Sequence, residues 1–185
     1  MDVAEDAYQR FLTGDNTGLT EIIRTYKDGL ILYLRGFTDD IYQAEELAED
    51  TFVKLVIKRP VFHKRCSFKT WLYAIGRNVA VDYARRQSRH REVTYDNCPE
   101  LIDDEANLEY TYIREERAII LHRAMQKLKP EYRQVLWLSY FEDFSNGEIG
   151  RIMKRSTHSV ETLVWRAKHA LKEQLDKEGF VYEEL

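Results

Sequence analysis

Apolar residues recur at three- and four-residue intervals through most of this 185-residue chain, and the pattern breaks in an acidic stretch after Arg91. Such spacing lines up side chains on one face of an α-helix, where 3.6 residues make a turn. The chain has only three prolines, and strand-type alternation is nowhere sustained. The expected fold is all-α: two small helical domains joined by an acidic linker.

In the first half, Phe11, Leu19, Ile22, Ile23, Tyr26, Leu30, Leu34 and Phe37 predict a helix from about Thr17 to Gly36. Thr38 or Asp39 is suited to cap the next, which carries Ile41, Leu47, Phe52, Leu55 and Val56 and ends before Pro60. Ser67 precedes a third, with Phe68, Trp71, Leu72, Ile75 and Val79 on one face and Lys69, Arg77, Arg85 and Arg86 largely off it. The third pattern loses its apolar residues after Tyr83.

Charge is concentrated on this third helix and the loop before it. From Lys58 to Arg91 there are ten Lys and Arg against one acid, Asp82, in a chain of net charge −4. Phe62, Phe68, Trp71, Tyr73 and Tyr83 are interleaved with them. Cations attract a phosphate backbone, and exposed rings stack on unpaired bases, so the segment suits single-stranded or melting DNA. An amphipathic core helix with a solvated basic face has the same composition.

From Glu92 to Glu116 there are nine acids and one base, Arg114, with Asn97, Pro99, Asp103 and Asp104 among them. This is a linker, either a solvated spacer or a shield that repels phosphate and discourages free DNA binding. Beyond it, Ile113, Ile119, Ile120, Leu121, Met125 and Leu128 mark one helix, and Pro130 opens another with Val135, Leu136, Leu138 and Phe141. Ser145 and Glu148 form a capping box before Ile149, Ile152 and Met153. After Lys154-Arg155-Ser156-Thr157 a last helix carries Val160, Leu163, Val164, Ala167, Leu171 and Leu175. Arg151 to Lys172 holds six bases and one acid. That layout is a helix-turn-helix, although a packed helical hairpin shows the same apolar spacing.

Several classes are disfavoured. No apolar run reaches the roughly 18 residues of a membrane helix, and the acidic start MDVAEDAYQRF is no signal peptide. Cys66 and Cys98 have no paired spacing, and His63 with Cys66 is half a metal motif at most. No phosphate-binding Gly-rich loop and no nucleophile with a nearby base are found. A cytoplasmic protein without catalytic residues, metal or cofactor is expected.

The two halves together resemble the extracytoplasmic-function (ECF) sigma factors of the sigma-70 family. The resemblance is carried by AEELAEDTFVKLV (44–56), SFKTWLYAIGRNVAVDYARR (67–86), LKPEYRQVLWLSYFEDFSNGEIGRIM (128–153) and SVETLVWRAKHAL (159–171). It implies sigma region 2 over 1–91, the linker over 92–112 and sigma region 4 over 113–185. It also implies binding of bacterial core RNA polymerase and promoter DNA, and sequestration by an anti-sigma factor.

Residue roles follow from the resemblance. Asp39, Asp40, Glu46, Leu47, Glu49 and Asp50 map to the face that binds the polymerase clamp helices, and carboxylates there suit an Arg-bearing partner. Lys64, Arg65, Lys69, Trp71, Tyr73, Arg77, Asn78, Arg85 and Arg86 map to the elements that recognise and melt the −10 element, with Trp71 on the apolar stripe and equally suited to packing. Ser156, His158, Ser159, Glu161, Thr162, Trp165 and Arg166 map to the −35 reader. Two positions depart from the family pattern. Lys154 replaces a turn glycine and is expected to alter the turn, and Glu161 stands where a base is frequent, either accepting from a cytosine or pairing with Lys168 or Arg155. The alternatives from other classes are a helix-turn-helix regulator acting without polymerase and a helical adaptor protein.

Overall fold

The computed structural model describes residues 3–38, 40–91, 121 and 123–177. Asp39, the acidic linker and Ile113, Ile119 and Ile120 lie outside them. All regular structure among the described residues is helical.

Helix α1 (Val3–Leu12) is separate from α2 (Asn16–Leu34), so Phe11 belongs to α1 and not to the helix its spacing suggested. Gly14, at φ 106°, makes the turn, and the Asp15 carboxylate caps α2 by accepting from the Thr17 N–H at 2.9 Å. A Cβ on Gly18 would strike the Ala7 carbonyl, so the two helices cross with backbones nearly touching. Helix α3 (Ile41–Lys58) is capped by Asp40, which accepts from the Tyr42 N–H at 2.8 Å. Thr38, expected as a cap, instead accepts from the Asp40 N–H at 3.2 Å and steadies the residue that does the capping. Arg59, left-handed at φ 41°, ends α3 before Pro60.

Helix α4 (Phe68–Arg91) starts at Ser67, whose hydroxyl accepts from the Thr70 N–H at 3.1 Å. It runs on to Arg91 although its apolar residues stop at Tyr83. Phe68 is fully buried, with ring centroids 5.4 Å from Tyr8, 5.6 Å from Phe62, 5.4 Å from Trp71 and 6.2 Å from Tyr26. That cluster joins α1, α2, α4 and the loop between α3 and α4.

In the second half a helical turn at 123–126 leads to α5 (Pro130–Leu136), with Pro130 at its first turn, where the missing N–H costs nothing. The chain then widens into a π-helical turn, Trp137–Phe141. The Glu142 N–H reaches back to the Trp137 carbonyl at 3.2 Å, and the Trp137 and Phe141 rings stack 4.3 Å apart. Helix α6 (Asn146–Met153) opens on the expected capping box: the Glu148 N–H donates to Ser145 Oγ at 3.4 Å, and the Ser145 N–H donates to Glu148 Oε2 at 3.0 Å. Helix α7 (Thr157–Lys177) begins after Ser156, whose hydroxyl accepts from the Ser159 N–H at 3.2 Å.

The turn between α6 and α7 keeps its left-handed residue. Lys154 sits at φ 56°, ψ 48°, so the substitution is absorbed as backbone strain and not as a new turn geometry. A Cβ on Gly150 would lie 2.7 Å from the Arg155 carbonyl, which shows how closely the turn folds back on α6. The two halves also meet: α4 lies along α6, and α2 against the π-helical turn.

Left-handed strain at a non-glycine residue costs roughly 1–2 kcal/mol, offset by the ~0.5–1 kcal/mol that glycine loses through unfolded-chain freedom. Lys154→Gly is therefore expected to stabilise the protein by up to about 1 kcal/mol, and Lys154→Val to destabilise it. Urea denaturation midpoints at equal m-value check both.

Candidate core-polymerase and nucleic-acid interfaces

Helix α3 has two unlike faces. Ile41, Ala44, Leu47, Ala48, Phe52 and Leu55 are buried against the neighbouring helices. Leu47, at 1 % exposed, is therefore a packing residue; the anchoring role that its place on this face implies required an exposed side chain. Glu46, Glu49 and Asp50 are exposed on the other face, together with Tyr42, Val53, Val56 and Ile57. These recur at three- and four-residue intervals and form one stripe, acidic toward the helix start and apolar toward its end. Val56 thus leaves the core to which its spacing assigned it, and the exposed apolar residues toward the end of this face are Val53, Val56 and Ile57. Sequence reasoning missed that set because α3 has more apolar residues than one buried stripe can hold, a surplus visible in the sequence. Asp40 is committed to capping α3.

Helix α4 and its loop divide the expected −10 residues into outward and occupied groups. Arg65, Arg85 and Arg86 are exposed, Arg85 only loosely paired with Asp82 at 4.0 Å. Lys64, left-handed at φ 56°, is paired with Glu5 of α1. Arg77 and Asn78 are half-buried. Trp71 packs among Tyr8, Phe62 and Phe68, with centroids 5.2–5.4 Å apart. Tyr73 is fully buried, its ring 5.5 Å from Tyr33 and 5.2 Å from Phe144 of the second half. In this arrangement neither ring is presented to a base, because the apolar stripe of α4 needs them. Lys69 is held by the second half: its Nζ lies 2.8 Å from both the carboxylate and the carbonyl oxygen of Glu142.

Burial shapes the phenols beneath α4. Tyr8 is pushed up to about 12, chiefly by burial and partly countered by the Arg59 charge, while its hydroxyl donates to the Pro60 carbonyl at 2.8 Å. Tyr73 is raised well above the ordinary tyrosine value, first by burial and then by the Glu142 carboxylate beside it. Both stay neutral throughout the physiological range, so cationic α4 faces no phenolate.

Helix α7 presents its outer face freely. His158, Glu161, Trp165, Arg166, Lys168 and His169 are exposed, and Trp165 is 62 % exposed with its ring 4.3 Å from His169. Ser156 is exposed at the helix start; Ser159 and Thr162 are half-buried, the Thr162 hydroxyl donating to the His158 carbonyl at 3.2 Å. Neither surface partner considered for Glu161 is engaged with it. Arg155 pairs with Glu131 at 2.8 Å, and Lys168 Nζ lies 4.9 Å over the Tyr140 ring. Glu161 faces His158, with Oε2 3.7 Å from Nδ1. A helix of this kind, set by a tight turn on a shorter one, offers a projecting edge of the size a DNA major groove admits.

The family model for Sigma-70 region 2 matches residues 22–90, and that for Sigma-70, region 4 matches residues 118–171. The RNA polymerase sigma factor YlaC of Bacillus subtilis is 28 % identical over 166 residues, covering 86 % of this chain and 92 % of that protein. The ECF RNA polymerase sigma factor SigW of the same organism is 25 % identical over 170 residues, covering 88 % and 91 %. Among solved structures, the sigma factor RpoE of Bartonella quintana, in complex with the anti-sigma factor NepR, has a TM-score of 0.62 at 20 % identity. That similarity covers 85 % of this chain and 96 % of that one. The chain is an ECF sigma factor of the sigma-70 family. Proteins of this family are transcription factors and not enzymes.

Trp165 is the accessible indole, since Trp137 is 7 % exposed and Trp71 is packed among rings. Trp165→Phe is expected to remove most acrylamide-quenchable tryptophan emission. In the wild type, duplex DNA bearing the −35 element is expected to protect that same emission from quenching.

Proposed function

We propose that this sigma factor directs core RNA polymerase to its promoters through three surfaces on its own residues. The observation that carries the reading is the division of exposed charge: α3 shows carboxylates beside Val53, Val56 and Ile57, while α4 and α7 show cations. Glu46, Glu49 and Asp50 receive Arg side chains of the polymerase clamp bidentately, and the three aliphatic residues supply the apolar contact around them. Asp39 and Asp40 border this face at the start of α3.

Lys64, Arg65, Lys69, Arg77, Arg85 and Arg86 hold the phosphates of the −10 element, with Asn78 and the 58–66 loop discriminating bases. Melting costs about 1.4 kcal/mol per base-pair step. Base–aromatic stacking of roughly 1–3 kcal/mol per base offsets a step or two. Trp71 and Tyr73 support this surface from the core beneath it, Trp71 among Tyr8, Phe62 and Phe68 and Tyr73 between Tyr33 and Phe144. Ser156, His158, Ser159, Thr162 and Arg166 fix α7 on the −35 duplex, and Trp165 and Glu161 face its bases. Residues 1–91 form the polymerase and −10 unit, 92–112 the linker and 113–185 the −35 unit. The protein acts in the cytoplasm with the polymerase, uses no cofactor or metal, and is held in reserve by an anti-sigma protein. That last point is supported by the fold it shares with a sigma factor solved beside one.

Permanganate-reactive thymines are expected near −10, without ATP, only when core polymerase and this protein are both present. Opening by core polymerase alone, or none with both on a promoter mapped in vivo, rejects the reading. Reversing Glu46, Glu49 and Asp50 to Lys is expected to weaken polymerase binding a hundredfold or more, since breaking a desolvated charge pair costs about 2–5 kcal/mol. Circular dichroism is expected to stay unchanged, because all three side chains are exposed. For α7, selection from randomised −35 duplexes is expected to show relaxed preference at one base pair for Glu161→Gln. Glu161→Arg is expected to change the preferred base, a good pairing being worth ~1–3 kcal/mol. Identical preferences for all three proteins would make Glu161 a surface charge.

A further inference from the structure

The loop between α3 and α4, assigned above to base discrimination, is shaped from outside itself. Among the described residues, 59–67 carry no helix or strand, and no backbone hydrogen bond joins two residues of 60–66. Arg59 at φ 41° and Lys64 at φ 56° both take the left-handed conformation, which strains a side chain. Such strain persists only where the surroundings over-determine it.

Those surroundings are helix α1, which belongs to none of the three surfaces proposed above. Glu5, Tyr8 and Phe11, every third residue of α1, meet the loop in reverse order. The Glu5 carboxylate, on a side chain only 13 % exposed, pairs with the Lys64 ammonium. The hydroxyl of the buried Tyr8 donates to the Pro60 carbonyl at 2.8 Å. The Arg59 guanidinium lies 5.3 Å over the Phe11 ring. Between these points Phe62 is sunk into the core, 5.2 Å from Trp71 and 5.6 Å from Phe68. The loop thus runs antiparallel to α1 with both strained residues fastened, and Val61, His63 and Arg65 are left facing solvent.

Two of these contacts do more than pack. A loop that took another path would leave a poorly exposed carboxylate and a buried phenol hydroxyl without partners, which is costly. One loop conformation is selected in this way. Lys64 keeps 58 % of its side chain exposed, and an ammonium has three donors, so pairing with Glu5 fixes its direction and leaves donors for phosphate. A loop held in one shape rejects bases that do not fit it, whereas a loop free to adapt accepts several.

We propose that α1 is a splint for the −10 readout: Glu5 and Tyr8 are positioning residues that hold the 58–66 loop in its base-discriminating conformation without touching DNA themselves. The splint rests on the assignment of that loop to base discrimination.

Holoenzyme assembled with the full chain tests it, through opening of promoters that differ by single −10 bases. Glu5→Gln keeps the shape and removes the charge, and Tyr8→Phe keeps the ring and removes the hydroxyl. Each is expected to lower the ratio of opening on preferred to altered −10 sequences about tenfold, within the discrimination that one good base pairing carries. Affinity for core polymerase and the −35 preference are expected to stay at wild-type values. Glu5→Asp, which keeps the charge, is expected to retain more of the ratio than Glu5→Gln. A role in stability alone lowers opening on every promoter by one factor, and an unchanged ratio in both Glu5→Gln and Tyr8→Phe overturns the splint. Alanine at Val61, His63 and Arg65 separates the two ideas. If those variants change the preferred −10 bases while Glu5→Gln and Tyr8→Phe do not, the splint alone falls. If they too read −10 as wild type does, the assignment of the loop falls, and the splint with it.

Discussion

Everything in the first half is referred to the burial of Phe68. One ring at the first turn of α4 touches aromatic partners from α1, from α2, from the preceding loop and from its own helix. Removing such a ring costs about 3–5 kcal/mol, a large part of a small domain's stability. The consequence for function is rotational. With Phe68, Leu72 and Val79 sunk inward, α4 can turn only one way, and that setting sends Arg85 and Arg86 to solvent. Gly76 makes the seating close, since a Cβ there would meet Leu30 at 3.0 Å. The cationic surface is therefore a by-product of how the core is filled.

The same constraint explains what was legible in the sequence. Helices, their order, the Ser145–Glu148 capping box and the helix-turn-helix followed from local signals, because each depends on a few neighbouring residues. Local signals do not settle which apolar residues stay buried. Leu47 and Val56 lie on opposite sides of α3, and periodicity identifies stripes without saying which stripe another helix covers. Phe11 reads as part of α2 in the sequence because the break, 13–15, is only three residues long and the apolar spacing runs on across it. Tyr73 looked like a stacking residue by its basic neighbours. Its fate is decided by Phe144, 71 positions away, and nothing local reports that contact.

Lys154 shows the opposite case, a local rule overridden by context. A lysine is a poor choice for a left-handed position, yet the Arg155 N–H bonds back to the Gly150 carbonyl at 2.9 Å and closes the turn. With the turn fixed, α7 is set on α6 at one angle, and Arg155 is drawn to Glu131 of α5. That pair takes away a cation that could have neutralised Glu161. Lys168 is turned over Tyr140, and His158 offers a positive charge only when protonated. Among the described residues Glu161 thus has no permanent counter-charge, and under the function proposed above a hydrogen bond accepted from cytosine in the groove offsets the cost of an acid on that face.

Charge also separates the outward surfaces of the fold. The outward face of α3 is acidic, so it favours a basic protein partner and disfavours DNA, whereas α4 and α7 do the reverse. The two kinds of partner therefore do not compete for one surface. Lys69 is set apart from the other cations of α4, since the carboxylate and the carbonyl of Glu142 in the second half each hold its ammonium at 2.8 Å. Packing of the second half against α4 therefore occupies one of its cations, and the exposed positive charge of the helix lies further along it, at Arg85 and Arg86.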